Sequence, residues 1–379
     1  LFTGLYPRHH GVVHRRAKFG DLPSFVQTLR ANDYQTVGFA DGGYMSADFG
    51  YSRGFEVYDE FRDVESDLAP MALPRGGKRN ADTTRGIFDR ARAFLQGRRS
   101  ERPLFLFAHT YAVHDYFNNS QSKENLHCLL GFTTCTEEKW EELESLYESG
   151  IDDFDRELGS FLELVEQTLG LDNTLIILLS DHGEGFDHER NRIHHAGRLH
   201  RDQLQVPLLV AGPGIVPGGS EELVSLVDIR PSLLELVGLS DDTEHDGRSF
   251  VGHLDLGALA RLRSFLGRLG ASPTEESRDA VIASDHNYYW QAGRRKKVSR
   301  PSEKPTTSAR IDTEFWHIED RNGEELYHVS DRRQEKSQVV ERRAREERDA
   351  SPRKPVSQPT ELELSEELIE QLKALGYVE

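Results

Sequence analysis

The sequence predicts an α/β fold: a doubly wound, mostly parallel sheet, followed by a smaller α+β domain. Three observations carry this. Short continuous apolar runs alternate with amphipathic stretches of helical period over roughly the first 255 residues. Each of the first three runs ends in residues able to do chemistry. Beyond residue 255 the chain becomes Arg-rich and broken by Pro and Ser. The expected division is therefore 1–255 as a main α/β domain and 256–345 as a small α+β domain. A charged connector and a C-terminal amphipathic helix occupy 346–379.

Four runs read as buried strands: YQTVGFA (34–40), PLFLFAH (103–109), TLIILLS (174–180) and QVPLLVA (205–211). They are continuous rather than alternating, as strands covered on both faces are. Between them lie helical patterns. Residues 21–33 open at Asp21 as N-cap and bury Phe25, Val26 and Leu29. Residues 82–96 set Ile87, Phe88, Ala91, Phe94 and Leu95 on one stripe, and 137–169 carries a longer stripe from Leu143 to Val165. A short helix over 231–237 follows Asp228 and Pro231. Further on, AVIASD (280–285) is strand-like, and EFWHIED and EELYHVS read as a small antiparallel unit. Residues 331–358 are a charged, exposed connector. ELELSEELIEQLKALGYVE ends the chain as an amphipathic helix with Leu364, Leu368, Leu372 and Leu375 on one face.

Composition narrows the partners. The 379 residues carry 47 basic and 65 acidic side chains, a net charge of −18. Nucleic acid and anionic membranes are repelled by such a balance. No apolar run approaches membrane-spanning length. A small anionic substrate stays possible, because a cation and a few Arg or His invert the potential locally. The two cysteines, Cys128 and Cys135, form either a short disulfide, which would suit the periplasm or the cell exterior, or two thiols.

Ligands of open α/β sheets bind beyond the carboxyl ends of the strands. Asp41, then His109 and His114, then Asp181 and His182 stand at successive strand ends. In SDHGEGFDHERNRIHHAGRLH (180–200), five of the chain's sixteen histidines crowd together. Asp181 and His182 offer an oxygen and a nitrogen to one cation if the backbone turns sharply at Gly183. The alternative is Asp181 as a helix cap beside an exposed His182. Such mixed donors suit Mn²⁺, Zn²⁺ or Mg²⁺. His188, His194 and His195 suit a general acid, a second metal site, an anion clamp or a solvated loop. TGLYPRHHGVVHRR, near the start, is an anion-facing loop or a basic turn.

Taken together, these residues resemble the sulfatases, within the alkaline-phosphatase-like superfamily. TGLYPRHHGV is similar to the family's T-G-x-x-P-x-x-H-G-V stretch. PLFLFAHTYAVHDYF resembles the strand bearing P-H-x-P-Y, and DNTLIILLSDHGE the D-N-T-x-x-x-x-x-S-D-H-G-E strand. LHRDQLQVPLLVAGPG, VSLVDIRPSLLELVGL, DGRSF and EELYHVSDRRQEKSQVV follow in the family's order. The resemblance implies hydrolysis of a sulfate ester on a sulfated small molecule or glycan. It also implies a divalent metal, Ca²⁺ foremost and Mn²⁺ or Mg²⁺ otherwise. Asp181 and His182 fall on late metal ligands, and His114 on the histidine that binds the sulfate. His194 or His195 falls on the histidine that serves the bridging oxygen.

The departures are specific. The C-x-P-S-R or S-x-P-S-R motif, whose Cys or Ser becomes formylglycine, and the early metal aspartates would precede Leu1. The chain is thus expected to lack its N-terminal segment and to be inactive alone. P-H-x-P-Y has become VHDYF, and L-Y-D-E has become LHRD. A phosphoester or phosphonate hydrolase of the same superfamily, or a silent binding homologue, are the competing readings. Substrate choice would rest with loops near 115–135, 184–198 and 286–310. RRKKVSR (294–300) would contact an acidic glycan or form a solvated turn.

Overall fold

A computed structural model of the chain describes residues 1–13, 17–60, 82–117, 135–188, 192–193, 195, 199–257, 280–285, 307–312, 315–320, 323–328, 360–361 and 366. His194, Cys128, the basic run 294–300, the connector 331–358 and nearly all of the terminal amphipathic stretch lie outside the described residues. Two compact units emerge. One comprises Leu1–Phe25, Leu175–Asp187 and Ile193–Thr360; the other comprises Val26–Thr174, His188–Arg192 and Glu361–Glu379.

The second unit contains the parallel sheet. Strands β1 (Gln35–Ala40), β2 (Val57–Glu60) and β3 (Leu104–His109) lie in the order β2-β1-β3, all parallel. The central strand β1 is buried along Thr36–Ala40, whereas β3 is partly buried, with Ala108 exposed. Val37 and Phe39 of β1 and Leu104 and Leu106 of β3 pack with Ile87, Phe88, Ala91 and Leu95 of helix α2 (Asp82–Gly97). Phe161 and Val165 of helix α3 (Glu137–Thr168) complete that cluster. The alternate β3 residues, Phe105 and Phe107, meet Phe55 at centroid distances of 5.9 and 6.2 Å. Each large side chain so buried contributes about 1.5–3 kcal/mol. Thr136 caps α3 by accepting the Lys139 N–H, and Glu137 and Glu138 suit its positive end. Just before that cap, Cys135 is buried and disulfide-bonded.

The first unit contains strands β4 (Ile176–Leu179) and β5 (Leu208–Ala211). They pair antiparallel, with Ile176 opposite Ala211 and Leu179 opposite Leu208. The parallel arrangement therefore stops here. A parallel pair needs a crossover, usually helical and a dozen residues or more long. The only α-helix described between β4 and β5 is the single turn Arg201–Leu204.

Helix α4 (Ile229–Leu236) starts two residues before the expected 231, directly after Asp228, so Pro231 takes its third position instead of its first. That position has no intrahelical acceptor to lose. Asp228 turns its carboxylate backwards, accepting the Ser225 and Arg248 N–H groups at 2.7 Å each. Arg230 is fully buried and satisfies five acceptors. It donates to the carbonyls of Thr3 and Pro23, twice to Asp241, and to Thr243. The engaged Pro23 carbonyl explains why helix α1 (Phe25–Ala31) starts four residues after Asp21, which is not its cap.

The early histidines also turn inward. His9 Nδ1 lies 2.6 Å from Asp246, and both side chains are under 10% exposed. Asp246 also accepts the Tyr6 N–H and donates its own N–H to Gly4 O, each at 2.8 Å. His10 Nδ1 accepts the Val12 N–H at 3.0 Å.

Strands β6 (Ala280–Asp285), β7 (Thr307–Asp312), β8 (Phe315–Asp320) and β9 (Gly323–His328) form an antiparallel sheet in the order β9-β8-β7-β6. Three of them match the expected pieces; β7 does not. Among the described residues no helix is long and apolar enough to cross a membrane.

Burial lowers the His10 pKa to about 3, with His9 adding to the effect and Asp246 opposing it. The unfolded chain therefore takes up a proton below about pH 6.5 that the folded chain refuses. Stability is expected to fall by about 1 kcal/mol per pH unit below about pH 6 on this account. Urea unfolding across that range should show the slope, and His10→Gln should flatten it; an identical slope in the variant would remove His10 as its source.

Candidate active site

Strand β4 ends at Leu179, and the hydroxyl of the next residue, Ser180, donates to the His182 carbonyl at 2.5 Å. This pins the turn that presents Asp181 and His182. Asp181 Oδ1 accepts the His182 N–H at 3.0 Å. His182 Nδ1 lies 2.8 Å from the Gly183 carbonyl, which can only accept. The Nδ1–H tautomer is thereby selected, and Nε2 carries the lone pair. Asp181 Oδ2 and His182 Nε2 stand 3.8 Å apart, and both side chains reach solvent. The alternative of Asp181 as a helix cap is not realised, since no helix follows it.

Gly183 makes the turn possible. Its N–H donates to Gln203 O at 2.8 Å. A Cβ on it would come within 2.1 Å of Asp202 O. No side chain fits against backbone at that distance, so the turn at 181–184 and the one-turn helix at 201–204 depend on this glycine.

Glu184 and His195 form a buried pair beside the metal-ligand candidates. Glu184 Oε2 lies 3.2 Å from His195 Nδ1, with the side chains 5% and 8% exposed. The His195 ring stacks on the His182 ring, centroids 4.0 Å apart and planes 30° apart. Four residues thus gather: Asp181, His182, Glu184 and His195. Of the histidines expected to serve the bridging oxygen, His195 has this setting, and His194 lies outside the described residues. Glu184 was not a sequence candidate; its place after Asp-His-Gly was the only available signal.

His188 and His114 belong to the other unit. His188 stacks on Trp140, centroids 4.0 Å apart, and its Nε2 lies 2.7 Å from Glu144. Its partners are the acidic helix α3. His114 opens a short turn beyond β3 and meets Tyr111 edge-on at 5.8 Å; Tyr111 meets His109 at 4.7 Å. Asp41, at the end of β1, is 5% exposed and accepts the Tyr111 N–H at 3.0 Å. It holds the loop that carries His114.

A divalent cation binds oxygen and nitrogen at roughly 2.0–2.5 Å, so Asp181 Oδ2 and His182 Nε2 can reach one ion. The donor chemistry fits a cation as a pair. Among the described residues, no group of three or more His, Cys, Asp or Glu is arranged to hold a metal.

The Sulfatase family model matches residues 1–239. The chain belongs to the sulfatase family. Arylsulfatase K of Xenopus laevis is 30% identical over 301 residues, covering 66% of this chain and 55% of that protein. Among solved structures, a 2-O GAG sulfatase superposes with a TM-score of 0.62 at 17% identity, covering 86% of this chain and 73% of that one. A phosphonate monoester hydrolase from Silicibacter pomeroyi gives 0.59 at 16%, covering 87% and 78%. These superpositions establish the shared alkaline-phosphatase-like fold. The sulfatase chain spans between a fifth and just over half the length of the first curated relatives it matches.

Gly183→Ala is expected to cost about 1–3 kcal/mol by forcing 181–184 away from 202–203. Thermal unfolding should show the loss, and a variant as stable as the parent would mean that the two backbones are not in contact.

Proposed function

We propose that this chain is part of a metal-dependent sulfuric ester hydrolase, with Asp181, His182 and His195 at its site. The observation that carries the reading is the gathering of Asp181, His182 and His195 on the segment where the family bears its late metal ligands. In this reading Asp181 and His182 hold a divalent cation, Ca²⁺ foremost and Mn²⁺ or Mg²⁺ otherwise, with donors outside the described residues. When bound, such a cation offsets charge on sulfate oxygens and lowers the pKa of an attacking hydroxyl.

This chain's own residues supply the rest. In its neutral form His182 presents the Nε2 lone pair, because Nδ1–H is held by the Gly183 carbonyl. His195 delivers a proton to the departing alcohol, a contribution of roughly 10²–10⁴-fold. His114 binds the sulfate from the loop steadied by Asp41. The nucleophile of this reading is a formylglycine, as in the family, and the substrate is a sulfated small molecule or glycan. The arylsulfatase relative supports the ester class.

In the protein extended by its upstream segment, Asp181→Ala is expected to remove nearly all turnover of an aryl sulfate and to lower bound metal measured by elemental analysis, with the circular dichroism spectrum unchanged. Undiminished aryl sulfate hydrolysis by the variant would sink the metal assignment. A phosphonate monoester hydrolysed faster than the sulfate would replace the ester class.

A further inference from the structure

The proposed mechanism leaves Glu184 without a role, yet its carboxylate is 5% exposed. Burying an ionised carboxylate costs several kcal/mol unless it is paired and hydrogen-bonded. Both oxygens are engaged: Oε1 accepts the Gly185 N–H at 3.0 Å, and Oε2 faces His195 Nδ1 at 3.2 Å. An ionised carboxylate only accepts, so the proton of a neutral His195 resides on Nδ1 and the lone pair on Nε2. Turning the ring over would break this bond and present carbon to Glu184. The stacked His182 ring, 4.0 Å away, limits the remaining freedom.

His182 is held in the same way, through Nδ1, by the Gly183 carbonyl. Two adjacent imidazoles are therefore anchored at Nδ1 by consecutive residues of one turn, and both direct their chemistry to Nε2. We infer that Glu184 is a positioning residue: by holding Nδ1–H of His195 it directs Nε2 to the ester oxygen, so that the imidazolium form gives its Nε2 proton to the departing oxygen and is left as the neutral Nδ1–H tautomer. The inference rests on the proposed role of His195 in ester hydrolysis.

Two experiments test it separately. In the present chain labelled with ¹⁵N-histidine, long-range ¹H–¹⁵N spectra at about pH 8, where an unperturbed imidazole is neutral, report the tautomer, and His195→Gln identifies the signal. The parent is expected to show His195 protonated at Nδ1 alone. Glu184→Gln keeps the shape but can present either an oxygen or an amide N–H, so a tautomer mixture is expected. Glu184→Ala should give a mixture as well. A parent protonated at Nε2, or variants that keep a pure Nδ1–H signature, overturns the inference.

In the extended protein, Glu184→Gln is expected to lower kcat roughly 10- to 100-fold with KM within about threefold, and to hurt poor leaving groups most. An equal loss across leaving groups would mean a merely structural role and overturns it too. Failure of the hydrolase reading looks different: the extended protein with Glu184 and His195 intact would then turn over no aryl sulfate, whatever the tautomer.

Discussion

The close approach of Gly183 to the turn at Asp202 and Gln203 is the constraint on which the site rests. The Gly183 N–H reaches Gln203 O at 2.8 Å, with no room for a side chain. Everything useful nearby follows from that contact. With the turn pulled against 201–204, Asp181 and His182 are left at its outer edge, where they reach solvent. Glu184, one residue further, is carried into the interior. Exposure suits a pair meant for a cation, and burial suits a carboxylate meant to hold a ring. The same four-residue turn achieves both because a backbone, not a side chain, occupies its centre.

Elsewhere the first unit buries charge for cohesion. Arg230 gathers Thr3, Pro23, Asp241 and Thr243 around one guanidinium, a planar fork well suited to several acceptors at once. His9 and Asp246 make a second buried link. Through them the first 25 residues are tied to 228–246, a separation of more than two hundred positions. Removing one partner of such a pair leaves an uncompensated charge, at a cost of about 3–5 kcal/mol. These residues were read at first as an anion-facing loop or a basic turn. His9 serves the fold because Asp246, distant in sequence and invisible to local pattern, comes to meet it.

Much of the fold was legible because apolar runs and helical stripes are local signals. The four runs became β1, β3, β4 and β5, and the stripe predicted at 137–169 became Glu137–Thr168. Three features were not. Strand β7, TSARID, is too polar to announce itself and takes its form from pairing with β6 and β8. The antiparallel sense of β4 and β5 depends on what the connecting chain does, which periodicity does not encode. Helix α1 starts late because Arg230 claims the Pro23 carbonyl from across the sequence. In the site, Asp181 and His182 were legible as a strand-end pair of donors. The parts played by Glu184 and His188 were not, since their partners lie 11 and 44 residues away.

The two stacked imidazoles differ in one respect that bears on how such a site can change over generations. His182 is oriented by the main-chain carbonyl of residue 183, where only glycine fits. His195 is oriented by the side chain of Glu184. A change at 183 disturbs the whole turn, whereas a change at 184 touches one ring. Selection on folding alone therefore guards the first anchor, and the second is the one a lineage can refashion while keeping its fold.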